Sequence, residues 1–415
     1  KNRSLRAKTD KKPGGQPGRA GKTLEQIDSP DHIVEHAQSN CSGCGCSLEG
    51  VVGQCVEARQ VFDIPEPQMV VTEHRVVSKS CPCCAAKTEG SFPNNVTAHV
   101  QYGERARALM VYLNNQHLLP FERICQFFED IYGRKVSPGT VTKANIRAFR
   151  NLETFESDLK AFLITSPILH FDETGVRCQK KTHWIHVSSS LAATFYHTHK
   201  KRGREGMISA EVINTFSGIG VHDGLKTYFS FDGMRHALCN IHHLRELKFI
   251  HEEEGEAWAL EMKVLLLRMK EAAEANRELG RVPLERRAEF TKEYASIVLK
   301  GLTFHLELPP LPKSKRGRGK QRTGKNLLDR LSDGMESVLR FVNDLSVPFT
   351  NNLAEQDLRM IKVQQKVSGC FRDPMGAKIF CRIRSCISTA RKQGWSILNT
   401  LMQAVQGQPL PAIIG

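Results

Sequence analysis

Short apolar runs separated by polar segments fill the middle of the chain, a pattern that predicts a sheet with buried strands. Residues 167–171 and 218–222 form apolar runs of strand length. The segments 183–187 and 193–197 are spaced like a β-meander, and residues 207–216 have the pattern of a short helix. The predicted order is therefore strand, strand, strand, helix, strand.

An aspartate stands at the end of two of these predicted strands, Asp172 after the first and Asp223 after the fourth. The element order is typical of a ribonuclease-H-like core, in which the first and fourth strands lie side by side. The two acids are therefore expected to share a metal ion. A lone aspartate before Gly or Glu is more often an ordinary turn residue. Two aspartates at strand ends, with two further strands and a helix between them, favour the metal site.

A third acid, Glu355, lies on a helix that we predict to begin after residues 348–350. Its candidate N-caps are Thr350, Asn351 and Asn352. Helical spacing puts a row of cations on the polar face of Glu355, namely Arg359, Lys362 and Lys366. A carboxylate followed by cations suits a metal ion beside a DNA backbone, and the alternative is an exposed helix with a Glu–Arg pair. Asp357 projects elsewhere and is a weaker candidate.

Helical periodicity also predicts a unit that precedes the core. Residues 103–117, 121–132 and 138–149 predict three helices, the last with Ser137 as its N-cap. The unit could be a helix-turn-helix that binds DNA, or an ordinary packing module. The polar residues of its third helix that could meet DNA are Lys143, Asn145, Arg147 and Arg150.

A second helical region, residues 252–347, is predicted to be an insertion within the core. It contains a basic loop at residues 313–325, and a helix over residues 326–344 returns the chain to the core. The predicted fold class is therefore multidomain α/β. Its parts are a basic arm (1–30), a zinc-binding β module (31–100), a helical domain (101–155), a ribonuclease-H-like core (156–251 and 348–395), the insertion (252–347) and a C-terminal helix and tail (396–415).

The charge of the chain indicates a partner made of phosphates. Fifty-nine Lys plus Arg against forty-four Asp plus Glu leave a net charge of +15. Residues 1–22 carry eight cations and one acid, and residues 313–325 carry seven cations and no acid. Both runs contain glycine, so we interpret them as arms that order on DNA, with solubilising linkers as the alternative. The loop cations expected to contact DNA are Lys315, Arg316, Arg318 and Lys320.

The chain has thirteen cysteines, and no apolar stretch reaches the length of a membrane span. It begins with Lys1 and lacks the apolar segment of a signal peptide, so we expect a cytosolic protein in which cysteines bind metal or stay as thiols. Two Cys-x-x-Cys pairs predict a structural zinc site, with a redox pair as the alternative. The pairs are Cys41 with Cys44 and Cys81 with Cys84. Strands are expected between them at residues 60–65 and 69–77, and Cys46, Cys55 and Cys83 leave the choice of ligands open.

Further residues of possible chemistry lie near the predicted core. Cys239 and His242 could bind a metal or lie beside the active centre, although such a pair is more often a buried thiol and a helix-capping histidine. His170 and His222 each stand within two residues of a predicted catalytic aspartate. We expect them to support their neighbours rather than to react.

Several motifs together resemble the large transposase of the bacterial insertion-sequence family sixty-six. They are FDETG at 171–175, WIHVSS at 184–189, KRG at 201–203, HDG at 222–224, CNIHHLREL at 239–247 and NNLAE at 351–355. The likeness extends to the cysteine-rich module and to the proline- and glycine-rich segment 12–18. It implies a DDE transposase with Asp172, Asp223 and Glu355 as the catalytic triad. It also implies a synaptic dimer and accessory proteins encoded by the same element.

The expected reaction is phosphoryl transfer with two Mg²⁺ or Mn²⁺ ions held by the triad, first to water and then from the freed 3′-OH to target DNA. The cations expected to hold phosphates are Lys201, Arg202, Arg359, Lys362 and Lys366. Two other classes stay open. One is a metal-dependent nuclease or resolvase of the same fold, and the other is a non-catalytic zinc-containing DNA-binding regulator.

Overall fold

The computed structural model of the protein describes residues 23–309, 311 and 321–415. The chain forms two compact units, Lys1–Val70 and Val71–Gly415. The predicted basic arm at residues 1–22 lies outside the described residues, as do four cations of the basic loop, Lys315, Arg316, Arg318 and Lys320. Among the described helices, none is long and apolar enough to cross a membrane.

The strands predicted within the cysteine-rich region are wrong. Residues 60–65 are irregular, and Val61 and Ile64 are 91% and 83% exposed, because the described part of the first unit offers this segment no partner strand. Residues 69–77 are irregular as well. The second unit has its first strands just beyond, β1 (Ser78–Ser80) and β2 (Lys87–Glu89), which pair in antiparallel register around the second cysteine pair.

Three helices follow β2 close to their predicted positions, and a fourth leads into the central sheet. They are α1 (Glu104–Asn115), α2 (Phe121–Tyr132), α3 (Pro138–Asn151) and α4 (Glu153–Thr165). Ser137 is the N-cap of α3, as predicted, and its hydroxyl accepts the N–H of Thr140 at 3.2 Å. Pro138 at the first turn needs no hydrogen-bond partner, which favours the start of the helix there.

The central sheet has five strands in the order β5-β4-β3-β6-β7. The strands are β3 (Ile168–Cys178), β4 (Lys181–Ser189), β5 (Thr194–His199), β6 (Ile219–His222) and β7 (Arg235–Leu238). The first three form an antiparallel meander, and β6 and β7 add in parallel to β3. The first and fourth strands of the sheet are thus neighbours. The predicted helix at residues 207–216 is instead the shorter α5 (Arg204–Ile208), followed by turns.

A helical layer follows the last strand, and it begins at Asn240, before residue 252, where the insertion was predicted to start. Its helices are α6 (Asn240–Glu254), α7 (Ala257–Ala275), α8 (Leu284–Glu307), α9 (Thr323–Asp333) and α10 (Met335–Asn343). Their apolar faces share one core, in which Leu266, Tyr294 and Leu328 are fully buried. The single helix predicted over residues 326–344 is wrong. It breaks at Gly334, where a side chain would come within 2.9 Å of the Arg330 carbonyl oxygen.

The chain then returns to the sheet through three helices, α11 (Asn352–Ser368), α12 (Pro374–Lys392) and α13 (Ile397–Gln406). Helix α11 packs on β3 and β4, and α12 packs on β5. Val187, Tyr196 and Ile361 are buried in the core between them. Helix α11 therefore carries its first turns to the end of β6, beside the middle of β3. The prediction that Asp172 ends its strand is wrong, because β3 continues to Cys178 in its pairing with β4.

Candidate active site beside β3 and at the ends of β6 and β7

The register of β3 and β6 aligns the two predicted aspartates. These strands are parallel, and His170 lies opposite Val221. Two residues further along each strand, Asp172 and Asp223 stand at matching positions. The Asp172 carboxylate accepts the N–H of Glu173 at 2.8 Å, and that of Asp223 accepts the N–H of Leu225 at 2.9 Å, so backbone donors orient both.

The environment of Asp172 disfavours its negative charge. The pKa of Asp172 is raised to about 7, chiefly by burial and in smaller part by the neighbouring carboxylates of Glu173, Asp223 and Glu355. All three predicted catalytic acids therefore share one electrostatic environment. A divalent cation would relieve this repulsion, and carboxylate oxygens are the ligands that Mg²⁺ prefers.

Asn351 fixes the first turn of α11 against the sheet. It is buried, its Nδ2 donates to the Phe171 carbonyl oxygen at 2.8 Å, and its Oδ1 lies 2.9 Å from His170 Nδ1. Its backbone N–H also points at Cys239 Sγ, at 3.1 Å. Asn351 is the N-cap by position, but its side chain makes no capping bond because it binds β3 instead. Glu355 lies one turn later and is thereby held near Asp172.

Two residues of the helical layer meet Glu355. His242 Nε2 lies 3.3 Å and Cys239 Sγ 4.0 Å from Glu355 Oε1. The three ligand atoms all lie within 4.8 Å of one another. Sequence reasoning favoured a buried thiol and a capping histidine here. The structure brings both residues to the third acid, and their Cys-x-x-His spacing was the only sequence signal of this.

A second acidic residue of β3, Glu173, holds a cation beside the site. Its buried carboxylate accepts Arg202 Nε at 2.9 Å and the Tyr228 hydroxyl at 2.6 Å. Burial raises the pKa of Glu173, and the bonds from Tyr228 and Arg202 oppose this effect. The Arg202 guanidinium also lies 4.9 Å from the centre of the Trp184 ring. Its side chain stays 44% exposed, so it can still reach a phosphate. Sequence reasoning missed Tyr228 because the contact joins β3 to the connection between β6 and β7, which lies 55 residues further along the chain.

Asp357 has a different role from Glu355. Its carboxylate accepts the hydroxyls of Ser189 at 2.5 Å and Thr194 at 2.9 Å, and it pairs with Lys392 at 2.9 Å. These contacts tie α11 and α12 to β4 and β5. Asp357 is therefore a structural residue, in agreement with the weaker weight that the sequence gives it.

The cations predicted to bind phosphate fall into two groups. Those that the structure leaves exposed are Lys143, Lys201, Arg359, Lys362 and Lys366. Arg147 is instead half-buried, and its Nε donates to the Val405 carbonyl oxygen of α13 at 2.8 Å. Asn145, on the same helix, is buried and bonds Asn114 and Asn115. Because α3 uses these residues for internal packing, its prediction as a DNA-reading helix is weakened, and Arg147 is better explained as a structural contact.

The two cysteine pairs have the same local fold. In the first compact unit, Cys41 N–H donates to Cys46 O at 2.8 Å and Gly45 N–H to Cys41 O at 2.9 Å. In the second, Cys81 N–H donates to Ala86 O at 2.8 Å and Ala85 N–H to Cys81 O at 2.9 Å. Hydrogen bonds from the backbone of Cys44 and Gly43 lower the pKa of Cys41, and those of Cys83 and Cys84 lower the pKa of Cys81. Each turn therefore favours the thiolate that zinc requires.

Comparison with known protein families gives two matches. Residues 99–379 match the family described as transposase IS66 family, and residues 38–85 match the zinc-finger binding domain of transposase IS66. The first match spans the helical unit, the sheet and the helical layer up to α12, and the second includes both cysteine pairs. No curated protein matches the chain significantly.

Proposed function

Because the chain belongs to the IS66 family of transposases, we propose that it cuts DNA at the ends of a transposon and joins the freed 3′-OH to target DNA by DDE chemistry. The catalytic residues are Asp172, Asp223 and Glu355. The observation that carries the proposal is that Asp172 and Asp223 align in the parallel register of β3 and β6, and that Glu355 lies close enough to Asp172 to add to the rise in its pKa, which burial dominates.

The proposed catalytic domain is a ribonuclease-H-like core with a helical insertion. Strand order β5-β4-β3-β6-β7, with an antiparallel meander and two added parallel strands, supports this proposal. In this arrangement β3 is central and neighbours β6, so Asp172 on β3 and Asp223 just after β6 lie side by side. Helix α11 then supplies the third acid after the insertion.

The donor set fits a pair of hard divalent cations, since all three groups are carboxylates. Asp172 would bind both ions, Asp223 the first and Glu355 the second. When bound, Mg²⁺ or Mn²⁺ supplies Lewis-acid activation of the attacking oxygen and stabilises the leaving 3′ oxygen. The chain itself orients these acids through backbone N–H donors and through Asn351.

Cations around the three acids would hold the DNA backbone. Arg202 is fixed by Glu173 and Trp184, so it offers a pre-oriented guanidinium to a phosphate. Arg359, Lys362 and Lys366 continue the exposed face of α11 beyond Glu355. A duplex that follows this face would reach the active site with its scissile phosphate beside the carboxylates.

The zinc-finger domain is proposed to hold one structural Zn²⁺ through Cys41, Cys44, Cys81 and Cys84. The matched turns at the two pairs support this ligand set. Two transposon ends must be joined together, so the active form is proposed to be a dimer bound to DNA in the bacterial cytoplasm. Accessory proteins of the same element would complete it.

An assay of cleavage and joining tests the proposal. The chain is incubated with Mg²⁺, a duplex that carries the end of its own element, and a second target duplex, with and without the accessory proteins of that element. The proposal expects Mg²⁺-dependent cleavage at the transposon end and covalent joining of that 3′ end to the target. Cleavage without joining would overturn it in favour of a nuclease or resolvase. Binding without cleavage under every condition would overturn it in favour of a regulator.

A further inference from the structure

We propose that Cys239, His242 and Glu355 form a second kind of metal site, which binds a borderline divalent cation such as Zn²⁺ or Co²⁺ through sulfur, nitrogen and oxygen. The site is separate from the cysteine pairs of the zinc finger. Its binding chemistry stands without the proposed function, and only its effect on DNA cleavage rests on that function.

The distances between the ligand atoms suit a tetrahedral ion. Bonds of about 2.0–2.3 Å at tetrahedral angles leave neighbouring ligand atoms about 3.3–3.8 Å apart. His242 Nε2 lies 3.3 Å and Cys239 Sγ 4.0 Å from Glu355 Oε1. The third separation, between sulfur and nitrogen, is within 4.8 Å. The three atoms could therefore close on one ion with small side-chain movements.

The backbone aims two of the ligands at the same point. Cys239 is the N-cap of α6, and its N–H donates to the His222 carbonyl oxygen at the end of β6, at 2.9 Å. His242 lies in the first turn of the same helix. Residues three apart at a helix start project to one side, so this side faces α11, which supplies Glu355.

Backbone N–H groups surround the sulfur. Cys239 Sγ receives the N–H of Asn351 at 3.1 Å, and the backbone N–H groups of Ile241 and His242 also bond to it. The zinc-finger residues Cys41 and Cys81 have the same kind of backbone donors. Burial and the Glu355 carboxylate nevertheless raise the pKa of the Cys239 thiol, so the thiolate needs the charge of a bound cation.

The ligand set selects the class of ion. Sulfur and imidazole favour Zn²⁺ and Co²⁺, whereas Mg²⁺ prefers oxygen ligands. Three protein ligands leave one position of a tetrahedral ion open for water or for DNA. The side chains of His242 and Glu355 are 38% and 28% exposed, so an ion can enter from solvent.

Glu355 belongs to both sites, which gives the second site a consequence. An ion held by Cys239 and His242 takes an oxygen of the third catalytic acid. Zn²⁺ would therefore compete with the use of Glu355 for Mg²⁺. We expect low concentrations of Zn²⁺ to inhibit Mg²⁺-dependent cleavage in wild-type protein, and excess Mg²⁺ to leave a bound Co²⁺ in place.

Titration with Co²⁺ tests the site directly, because thiolate ligands give Co²⁺ a charge-transfer absorption in the near ultraviolet. The full-length chain is used with its zinc finger already loaded with Zn²⁺. We expect one further equivalent of Co²⁺ to bind and produce this absorption. Cys239→Ser should abolish the band, and His242→Gln should weaken Co²⁺ binding at least about tenfold.

Matched variants control the experiment. Cys370→Ser removes an exposed thiol elsewhere and should leave the band unchanged. Cys44→Ser, which alters the zinc finger, should leave the band of the second site in place. A wild-type titration without the band, or a band that persists in Cys239→Ser, would overturn the proposal. If Cys239→Ser fails to fold by circular dichroism, unchanged Co²⁺ affinity of the partly exposed His242→Gln would overturn it.

The experiment separates this inference from the proposed function. Co²⁺ binding is measured without DNA, so a chain that binds Co²⁺ but never cleaves refutes only the transposase mechanism. A chain that cleaves and joins DNA but shows no thiolate-bound Co²⁺ refutes only the second site.

Discussion

Asn351 Oδ1 and His170 Nδ1 are joined by a buried contact of 2.9 Å. Burial lowers the pKa of His170 to about 4, so the imidazole is neutral near pH 7 and its Nδ1–H can donate to the amide oxygen. The same amide donates to the Phe171 carbonyl oxygen at 2.8 Å. One side chain therefore joins α11 to the strand that carries Asp172, and it sets the position of Glu355 relative to that acid.

Replacement of the Asn351 amide should lower the stability of the fold and disturb the position of Glu355. Asn351→Ala leaves the His170 N–H and the Phe171 carbonyl without partners, so we expect the free energy of unfolding to fall by about 2–3 kcal/mol. Chemical denaturation measures this difference. Asn352→Ala, at the exposed neighbouring position, should change it by less than about 0.5 kcal/mol. Equal stabilities of the two variants would show that the amide does not hold the helix.

Asp172 should destabilise the metal-free fold at neutral pH. Its pKa lies near 7 in the folded chain and at 3.8 in an ordinary setting, so folding disfavours the ionised form. The stability that the protonated acid contributes is complete below pH 4 and is lost as the pH rises through 7. Without divalent cations, Asp172→Asn should therefore be more stable than wild type at pH 8, by at most about 4 kcal/mol, since each pKa unit corresponds to about 1.4 kcal/mol.

Thermal unfolding between pH 4 and pH 8 checks this pH dependence. The gain of Asp172→Asn should shrink towards pH 4, and Mg²⁺ should reduce it at pH 8 by stabilising the wild-type carboxylate. Asp158→Asn, on the exposed side of α4, is the matched control and should show no such trend. Unfolding curves for Asp172→Asn and wild type that keep a constant separation over this range would contradict the assignment of a raised pKa.

Asp357 should matter for stability and not for the chemistry. Asp357→Asn leaves Lys392, whose side chain is only 13% exposed, without its anionic partner. We expect a loss of about 2–4 kcal/mol in the free energy of unfolding, partly restored by the double variant Asp357→Asn with Lys392→Met. Cleavage activity of the folded protein should be kept at low temperature. A variant that folds as stably as wild type but no longer cleaves would reverse the roles given to Asp357 and Glu355.

The zinc finger should depend on its cysteine pairs. Cys44→Ser should release Zn²⁺ and loosen residues 31–100, whereas the catalytic core stays folded, because binding energy of the ion is folding energy of a small metal domain. Elemental analysis and limited proteolysis measure the two effects. Cys55→Ser is the control, since its thiol lies in neither pair, and it should keep the ion. Native protein purified without zinc would contradict the proposed site.

The sequence predicted those parts of the fold that local patterns determine. Asp172 and Asp223 follow short apolar runs whose order implies neighbouring strands, and Ser137 before Pro138 is a local helix start. Sequence reasoning failed where contacts with residues distant in the chain determine the local structure. Asn351 has the composition of a cap, but its partners are about 180 residues away on β3. Residues 60–65 have a strand-like composition but no partner strand in the described part of their unit.

In the candidate site, too, local patterns predicted some residues, and contacts between distant segments determine the others. Asp172 and Asp223 could be chosen because each follows a short apolar run, and Glu355 from one helix face, although β3 continues beyond Asp172 to Cys178. The contact of Glu173 with Tyr228 joins segments that are far apart in the chain, so no local pattern indicates it. For the contact of His242 with Glu355, the Cys-x-x-His spacing is the only local signal. For Arg147, contact with DNA stays a prediction, and the structure adds an internal contact that the sequence did not indicate. Its helix has the polar pattern of a DNA-contacting surface, yet α13 packs on it and takes the guanidinium.

The most direct test of the central claim compares Glu355→Gln with wild type in the Mg²⁺-dependent cleavage and joining assay. Glu355 is the acid that local sequence pattern identifies least directly. Gln keeps the shape of the Glu355 side chain but removes the charge that a hard cation needs. We predict that cleavage and joining fall together by at least about a hundredfold, which corresponds to about 2.7 kcal/mol in the barrier. DNA binding should be kept, Asp172→Asn and Asp223→Asn should behave alike, and Asp357→Asn should retain most activity. Near-normal end cleavage by folded Glu355→Gln in Mg²⁺ would contradict the proposed triad.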